Sequence, residues 1–400
     1  MSPPGRPKGE YRSAQREGTP LSPPGRPKGE YRSAQREGTP LTTHASAPHS
    51  LQRGFGLIEI MVGILISMLM VLIIYQVYEV SEGQKRTITS ASDAQQNAAY
   101  GLFLIGQDLM GAGQVISAST VAMSGCAMLR PVPAIIGAGA TDNDPDTVTV
   151  LYGGSSSLST PAPLLSDASV GTTPPGTYVV AGPLGFSPND VIVAVQGTSC
   201  TLSIIGAAGI SVAANTGITT ITHALTPTPG NNTSATYGAV AASLVNLGQA
   251  ASPGEAARFG QTVYSVDPGT STLRTQSLLP TAQPVTPVVS NVVNLKAQFG
   301  LDTDNNGTVD AWQPATGIWS SVNLPSQPPA TWQQIRAVRV AIVTRSPQYE
   351  VDAVTPGPIE MFCSTLPCAA AMTLASDDQH YRYKVLETTI PFRNALWNAP

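Results

Sequence analysis

Charge is scarce in this 400-residue chain: 12% of residues are Asp, Glu, Lys or Arg, and 6% are aromatic. No basic patch with interleaved aromatics occurs after residue 54, so in that part the usual footprint of nucleic-acid binding is missing. Beyond residue 50 the only histidines are His223 and His380. Gly153-Gly154-Ser155-Ser156-Ser157 lacks the closing glycine of a nucleophile elbow. Asp377-Asp378-Gln379-His380 reads as a polar turn before a strand at Tyr381. No catalytic constellation is assembled, and the chain is read as a non-enzyme. Proline is plentiful, yet none falls between Pro48 and Pro131, which permits an unbroken helix across that interval.

What is present is a membrane-length apolar run. Ile60 to Tyr78 is 19 residues without a charge, close to the ~20 a helix needs to cross ~30 Å of hydrocarbon. Just before it stands Glu59. A carboxylate in a span costs roughly 2.5–3.5 kcal/mol at the bilayer centre and less near the interface, so it implies a partner.

Gly54-Phe55-Gly56-Leu57-Ile58-Glu59-Ile60 resembles the processing site of type IV prepilins and type II secretion pseudopilins. The resemblance implies that a prepilin peptidase cuts after Gly54 and methylates Phe55, making Glu59 the fifth mature residue, the acidic position used in assembly. Gly56 departs from the commoner Thr or Ser.

Charge is divided around this site. Residues 1–54 hold nine Lys/Arg and four Asp/Glu; the remainder holds 12 and 21. Basic before and acidic after the span is the positive-inside arrangement, which keeps the amino end cytoplasmic and translocates the rest. Residues 2–21 and 22–41 are identical copies rich in Pro, Gly and charge, unable to bury a core. We expect 1–54 to be a disordered leader removed on maturation, 55–113 a pilin helix with 57–80 as its transmembrane part, and 114–400 a β-rich domain. Export makes disulfides expected among Cys126, Cys200, Cys363 and Cys368. Three connectivities are open, of which Cys126–Cys200 with the short loop Cys363–Cys368 is favoured.

Ile88, Ala91, Ala94, Ala98, Leu102, Ile105 and Leu109 recur at three- and four-residue steps and define one helical face. A helix from about Leu57 to Leu109 would be roughly 80 Å long, with Gly111-Ala112-Gly113 as its stop. After Pro131 the composition turns to Gly, Pro, Ser, Thr and Val. Strands are predicted at Thr147–Tyr152, Tyr178–Ala181, Val191–Gln196, Thr201–Ile205, Gln261–Val266, Ser271–Ser277, Val292–Phe299, Ile335–Thr344 and Tyr383–Ile390. Asp267-Pro268-Gly269 is a turn whose glycine accepts positive φ. The partial alternation of Arg336–Ile342 predicts a half-exposed strand, and Ser155–Pro163 and Thr226–Ser234 read as loops. Trp312, Trp319, Trp332 and Trp397 read as core or strand-edge residues. The fold class is α+β: a long N-terminal pilin helix, transmembrane then amphipathic, packed on a C-terminal antiparallel β-sheet domain.

Gly106-Gln107-Asp108-Leu109-Met110-Gly111-Ala112-Gly113, Gln298–Asp304, Ile335–Val340 and Phe392-Arg393-Asn394 are together similar to the PilW group of minor pilins. That resemblance implies a bacterial inner-membrane protein, single-pass with a cytoplasmic amino end, later periplasmic and in the extracellular pilus. Its partners would be the prepilin peptidase, other minor and major pilins, the inner-membrane assembly machinery and a tip adhesin. The function implied is to initiate pilus assembly near the tip. The alternatives are a type II secretion pseudopilin and a pilus-associated adhesion module. Separately, Asp302-Thr303-Asp304-Asn305-Asn306-Gly307-Thr308-Val309-Asp310 resembles the start of a calcium loop, with ligands expected from Asp302, Asp304, Asn306, Thr308 and Asp310. Position 12 is Gln313, so the bidentate carboxylate is missing; an Asx-rich surface turn is the other reading.

Overall fold

The computed structural model describes residues 56–113, 126, 132–153, 160–169, 176–183, 185–225, 235–250, 259–279, 282–364 and 367–393. The leader 1–54, Phe55, the loop expected at Thr226–Ser234 and Trp397 lie outside the described residues. The chain divides into two compact units, Met1–Leu69 and Met70–Pro400. Helix α1, Leu57–Gly111, contributes to both. In the first unit its residues Leu57–Leu69 are all exposed, and they belong to the stretch of α1 that is long and apolar enough to cross a membrane. Ser67 satisfies its hydroxyl within the helix by donating to the Gly63 carbonyl at 2.6 Å, as a span in lipid requires.

In the second unit α1 buries Ser90, Ala94, Ala98, Gly101, Leu102, Ile105, Gly106 and Leu109. These fall at helical spacing and match the predicted face from Ala94 onward, with two corrections before it: Ile88 is 70% exposed and Ala91 only half-buried, because the fully buried stripe begins at Ser90 and continues at Ala94. The helix ends at Gly111 and the stop is completed at Gly113, whose φ of 75° favours glycine and whose N–H donates to the Leu151 carbonyl.

Three antiparallel sheets make up the rest. The first has the order β1 (Ala134–Gly137), β2 (Thr147–Gly153), β11 (Phe259–Asp267), β12 (Thr272–Leu279), β13 (Thr286–Ser290). The second runs β3 (Ala162–Pro163), β10 (Ser243–Gln249), β6 (Asp190–Gln196), β7 (Ser199–Val212), β8 (Thr219–Leu225), β5 (Gly176–Val180). The third is β15 (Ala311–Gln313), β14 (Val292–Leu301), β16 (Ile335–Arg345), β19 (Tyr383–Pro391). Two small pairs, β4 (Ala168–Ser169) with β9 (Thr236–Tyr237) and β17 (Ile359–Met361) with β18 (Ala370–Met372), complete it. A short helix, α2 (Pro329–Gln333), precedes β16. All nine predicted strands exist. The second sheet is an excursion between β2 and β11, which pair directly with each other from Phe259↔Gly153 to Tyr264↔Val148.

The main core joins α1 to the first and third sheets through Leu102, Ile105 and Leu109, Val148 and Tyr264, and Leu295 and Val338. A second cluster, with Leu151 and Phe259 facing Val193, Leu202 and Val245, joins the first sheet to the second. Cys126–Cys200, 5.4 Å apart at Cα, lies in that cluster. Cys363–Cys368 closes a short loop beside β17 and β18.

Two local expectations are corrected. β16 is not half-exposed: Ile335 to Thr344 are all buried. Val338, Val340 and Ile342 face the main core, while Ala341 and Val343 meet Met361 and Phe362 on the opposite side. In the Asp267 turn the positive φ falls on Ser271 at 48°, not on Gly269. The Asp267 carboxylate accepts the Gly269 N–H and the Thr270 hydroxyl and pairs with Arg274, so the reversal spreads over a longer loop.

The second sheet carries a pH-sensitive core residue. His223 on β8 is 2% exposed and stacks on Tyr178 of β5 at 4.1 Å between ring centroids. Neither ring nitrogen has a hydrogen-bond partner among the described residues. Burial lowers its pKa to about 4. An unfolded histidine titrates near 6.5, so this contribution is whole above pH 6.5 and falls as pH drops towards 4. We expect the second unit to lose about 2–3 kcal/mol between pH 7 and 4.5 from this residue. Urea midpoints at the two pH values check it: His223→Phe should flatten the dependence, and an equal loss in the variant would refute it.

Candidate functional site

Glu59 stands in the first turn of α1 and is exposed. Its N–H and that of Ile60 both donate to the Gly56 carbonyl, at 2.9 and 3.2 Å. A carboxylate in the first turn interacts favourably with the helix dipole. From Leu57 to Val80 every residue is exposed and apolar side chains dominate, so Glu59 is an isolated acid at the head of an unpartnered apolar surface. Gly54 and Phe55 lie outside the described residues.

The far end of the helix is anchored by a second acid. Asp108 accepts a 2.7 Å hydrogen bond from the Tyr264 hydroxyl on β11. Burial raises the Asp108 pKa against the opposing effect of that bond, and raises that of Tyr264, with Asp108 adding to the shift.

The predicted calcium loop folds back on itself between β14 and β15. Carboxylate oxygens of Asp302, Asp304 and Asp310 come within 4.8 Å of one another, and Gly307 takes a φ of 86°. Asp302 is fully buried. It accepts the Asn306 and Gly307 amides and the Arg336 Nε, the last at 2.8 Å. Burial pushes the Asp302 pKa up, but the Gly307 amide and the Arg336 guanidinium outweigh it and hold the carboxyl below its ordinary value. The Asn306 side-chain oxygen receives the Thr308 amide, and Asp310 receives the Thr303 amide and hydroxyl. Gln313 belongs to β15 and pairs with Phe299. The donor set therefore fits a hard cation in part, with Arg336 already supplying positive charge to Asp302.

Sequence reading missed the charges inside the sheets. Lys296 on β14 and Asp146 form a buried pair at 3.0 Å. Arg336 and Arg339 are buried on β16. The available signal was a set of isolated charges in strands of otherwise apolar residues. Of the tryptophans, Trp319 and Trp332 are core residues, the latter donating from Nε1 to the Leu324 carbonyl. Trp312 lies on the edge strand β15.

Residues 262–394 match the family described as type IV pilus-assembly protein W, PilW, and residues 49–75 match the prokaryotic N-terminal methylation motif. The first match covers β11 to β19 without the second sheet; the second contains Gly54, Phe55 and Glu59. No curated protein and no solved structure matches the chain.

Proposed function

We propose that this chain is a type IV pilin-like protein of the PilW type, as the matches over residues 262–394 and 49–75 support, and that it is a minor pilin that helps initiate filament assembly near the tip. The observation that carries the reading is Glu59, in register within the methylation motif and one residue ahead of the apolar run. In this account prepilin peptidase removes the leader after Gly54 and methylates Phe55. The apolar part of α1 holds the subunit in the inner membrane and then packs among other pilins, and the β-rich region is translocated. The role is structural, with the pilus assembly machinery as its partner.

Mass spectrometry of the protein recovered from sheared filaments tests this. We expect a mature amino terminus at methylated Phe55. Protein that still begins upstream of Phe55, or that is absent from filaments, would refute the reading.

A second reading, a pilus-associated adhesion module, is favoured by the six-stranded sheet, which lies outside the PilW match and has its own core around Tyr178, Ile192 and Tyr237.

Calcium enters the proposal as a weak ligand of the Asp302–Asp310 loop, in the range of about 10⁻⁴–10⁻³ M found for extracellular calcium modules. Calcium at about ten times its dissociation constant should stabilise by about 1.4 kcal/mol, a rise of a few degrees in Tm. Asp304→Ala should abolish the rise without touching the Asp302–Arg336 pair. An unchanged Tm in the wild-type protein would end the calcium reading.

A further inference from the structure

Among the described residues of the second unit three cations are buried, Lys296, Arg336 and Arg339, and two of them form ion pairs with carboxylates. Lys296 has Asp146 at 3.0 Å and Arg336 has Asp302 at 2.8 Å. The partly exposed Arg345 and Arg382 have Asp378 and Glu350. Arg339 is 9% exposed, yet none of the ion pairs among the described residues includes it. Glu387 attracts the guanidinium without forming one of these ion pairs, and burial outweighs that attraction, so the buried cation is only partly compensated.

Its surroundings are built around the cation. The Trp312 ring lies 4.7 Å and the Phe362 ring 4.5 Å from the guanidinium carbon, the distance of favourable cation–π contact. Nε and Nη2 both donate to Gln298 Oε1, at 3.0 and 2.5 Å, and Nη1 donates to Ser364 Oγ at 3.4 Å. A guanidinium carries five N–H groups, so one on each terminal nitrogen is left without an acceptor among the described residues. The two terminal nitrogens, presented end-on, match the two oxygens of a carboxylate.

The group borders a cleft of ≈ 320 Å³ lined by Trp312, Phe362, Ser364, Glu387 and Thr389. Phe362 has a φ of 58°, an outlier for a bulky side chain and the kind of backbone strain that collects at binding sites. Its N–H donates to Glu387 Oε1 at 2.6 Å, and the Cys363–Cys368 disulfide follows immediately. Glu387 is thus engaged by the Phe362 backbone and attracts the Arg339 charge from beyond ion-pair distance.

We propose that this cleft binds a carboxylate presented by a partner polypeptide, an Asp or Glu side chain received end-on by the Arg339 guanidinium between Trp312 and Phe362. The carboxylate chemistry stands on the geometry alone; the polypeptide source rests on the reading of the chain as a filament subunit.

Calorimetry on the full chain in detergent tests the site with three probes: acetyl-Gly-Glu-Gly-amide, acetyl-Gly-Gln-Gly-amide and glucuronate. We expect saturable binding of the Glu peptide and none of the Gln peptide. Arg339→Lys keeps the charge but loses the fork and should weaken the Glu peptide by at least about tenfold. Glu387→Gln removes a like charge from the cleft and should tighten it, a readout that a merely structural Arg339 would not move. No saturable heat, equal binding of the two peptides, or an unchanged affinity in Arg339→Lys would overturn the proposal. Glucuronate binding more tightly than the Glu peptide would overturn the polypeptide source. None of these results bears on filament incorporation, which the mature amino terminus reports separately.

Discussion

Glu59→Leu should leave the precursor cleaved and membrane-inserted but reduce its recovery in sheared filaments to background. Cleavage is expected to depend on the residues around Gly54, whereas in the proposed role assembly would need the acid. An unpaired carboxylate near hydrocarbon is unfavourable, by roughly 2.5–3.5 kcal/mol at the bilayer centre and less at its edge. The amine freed on Phe55 of a neighbouring subunit would neutralise it. In an apolar surround that attraction is many times stronger than in water, so the proposed pair would set the register of one helix against the next. Leucine removes the unfavourable burial together with the attraction, and the variant should accumulate in the membrane. Immunoblots of membrane and filament fractions, with the amino terminus sequenced from each, separate processing from assembly. Normal incorporation of the leucine variant would remove the proposed role of Glu59.

Asp146→Ala should be among the most destabilising single changes in the β-rich region. The Lys296 ammonium, 5% exposed, donates to Thr141 O at 3.0 Å, Asp144 O at 2.7 Å and Asp146 Oδ1 at 3.0 Å. Asp146 also accepts the Gly139 and Ala297 amides. Alanine would strand a buried cation and two amides, a loss of about 3–5 kcal/mol and on the order of 10 °C in Tm. Lys296→Met combined with Asp146→Ala should be less damaging than Asp146→Ala alone, because the stranded charge is then gone. Thermal unfolding of the three variants tests this, and a loss below about 1 kcal/mol for Asp146→Ala would show that the pair is dispensable.

Features legible in the sequence were those set by near neighbours. The stop at Gly113 could be read from two glycines after an apolar face. The strands at Val191–Gln196 and Val292–Phe299 could be read from runs of valine and other apolar residues. Ala168–Ser169 and Thr236–Tyr237 could not, because residues of ordinary propensity become strands only when a distant chain supplies hydrogen bonds. The calcium-like loop was visible as a spacing of oxygens. That Arg336, 34 positions away, would hold its first aspartate was not.

The sequence by itself determined the membrane-length run, the acid at its head, the continuous helix and the locations of the main strands, since each depends on residues a turn or two apart. Tertiary structure decided that the six-stranded sheet is inserted between two paired strands and that β16 is buried on both faces. It also decided which charge meets which. Lys296 and Asp146 are 150 residues apart, and only a closed sheet can bring them within 3.0 Å and exclude the water that would otherwise solvate both.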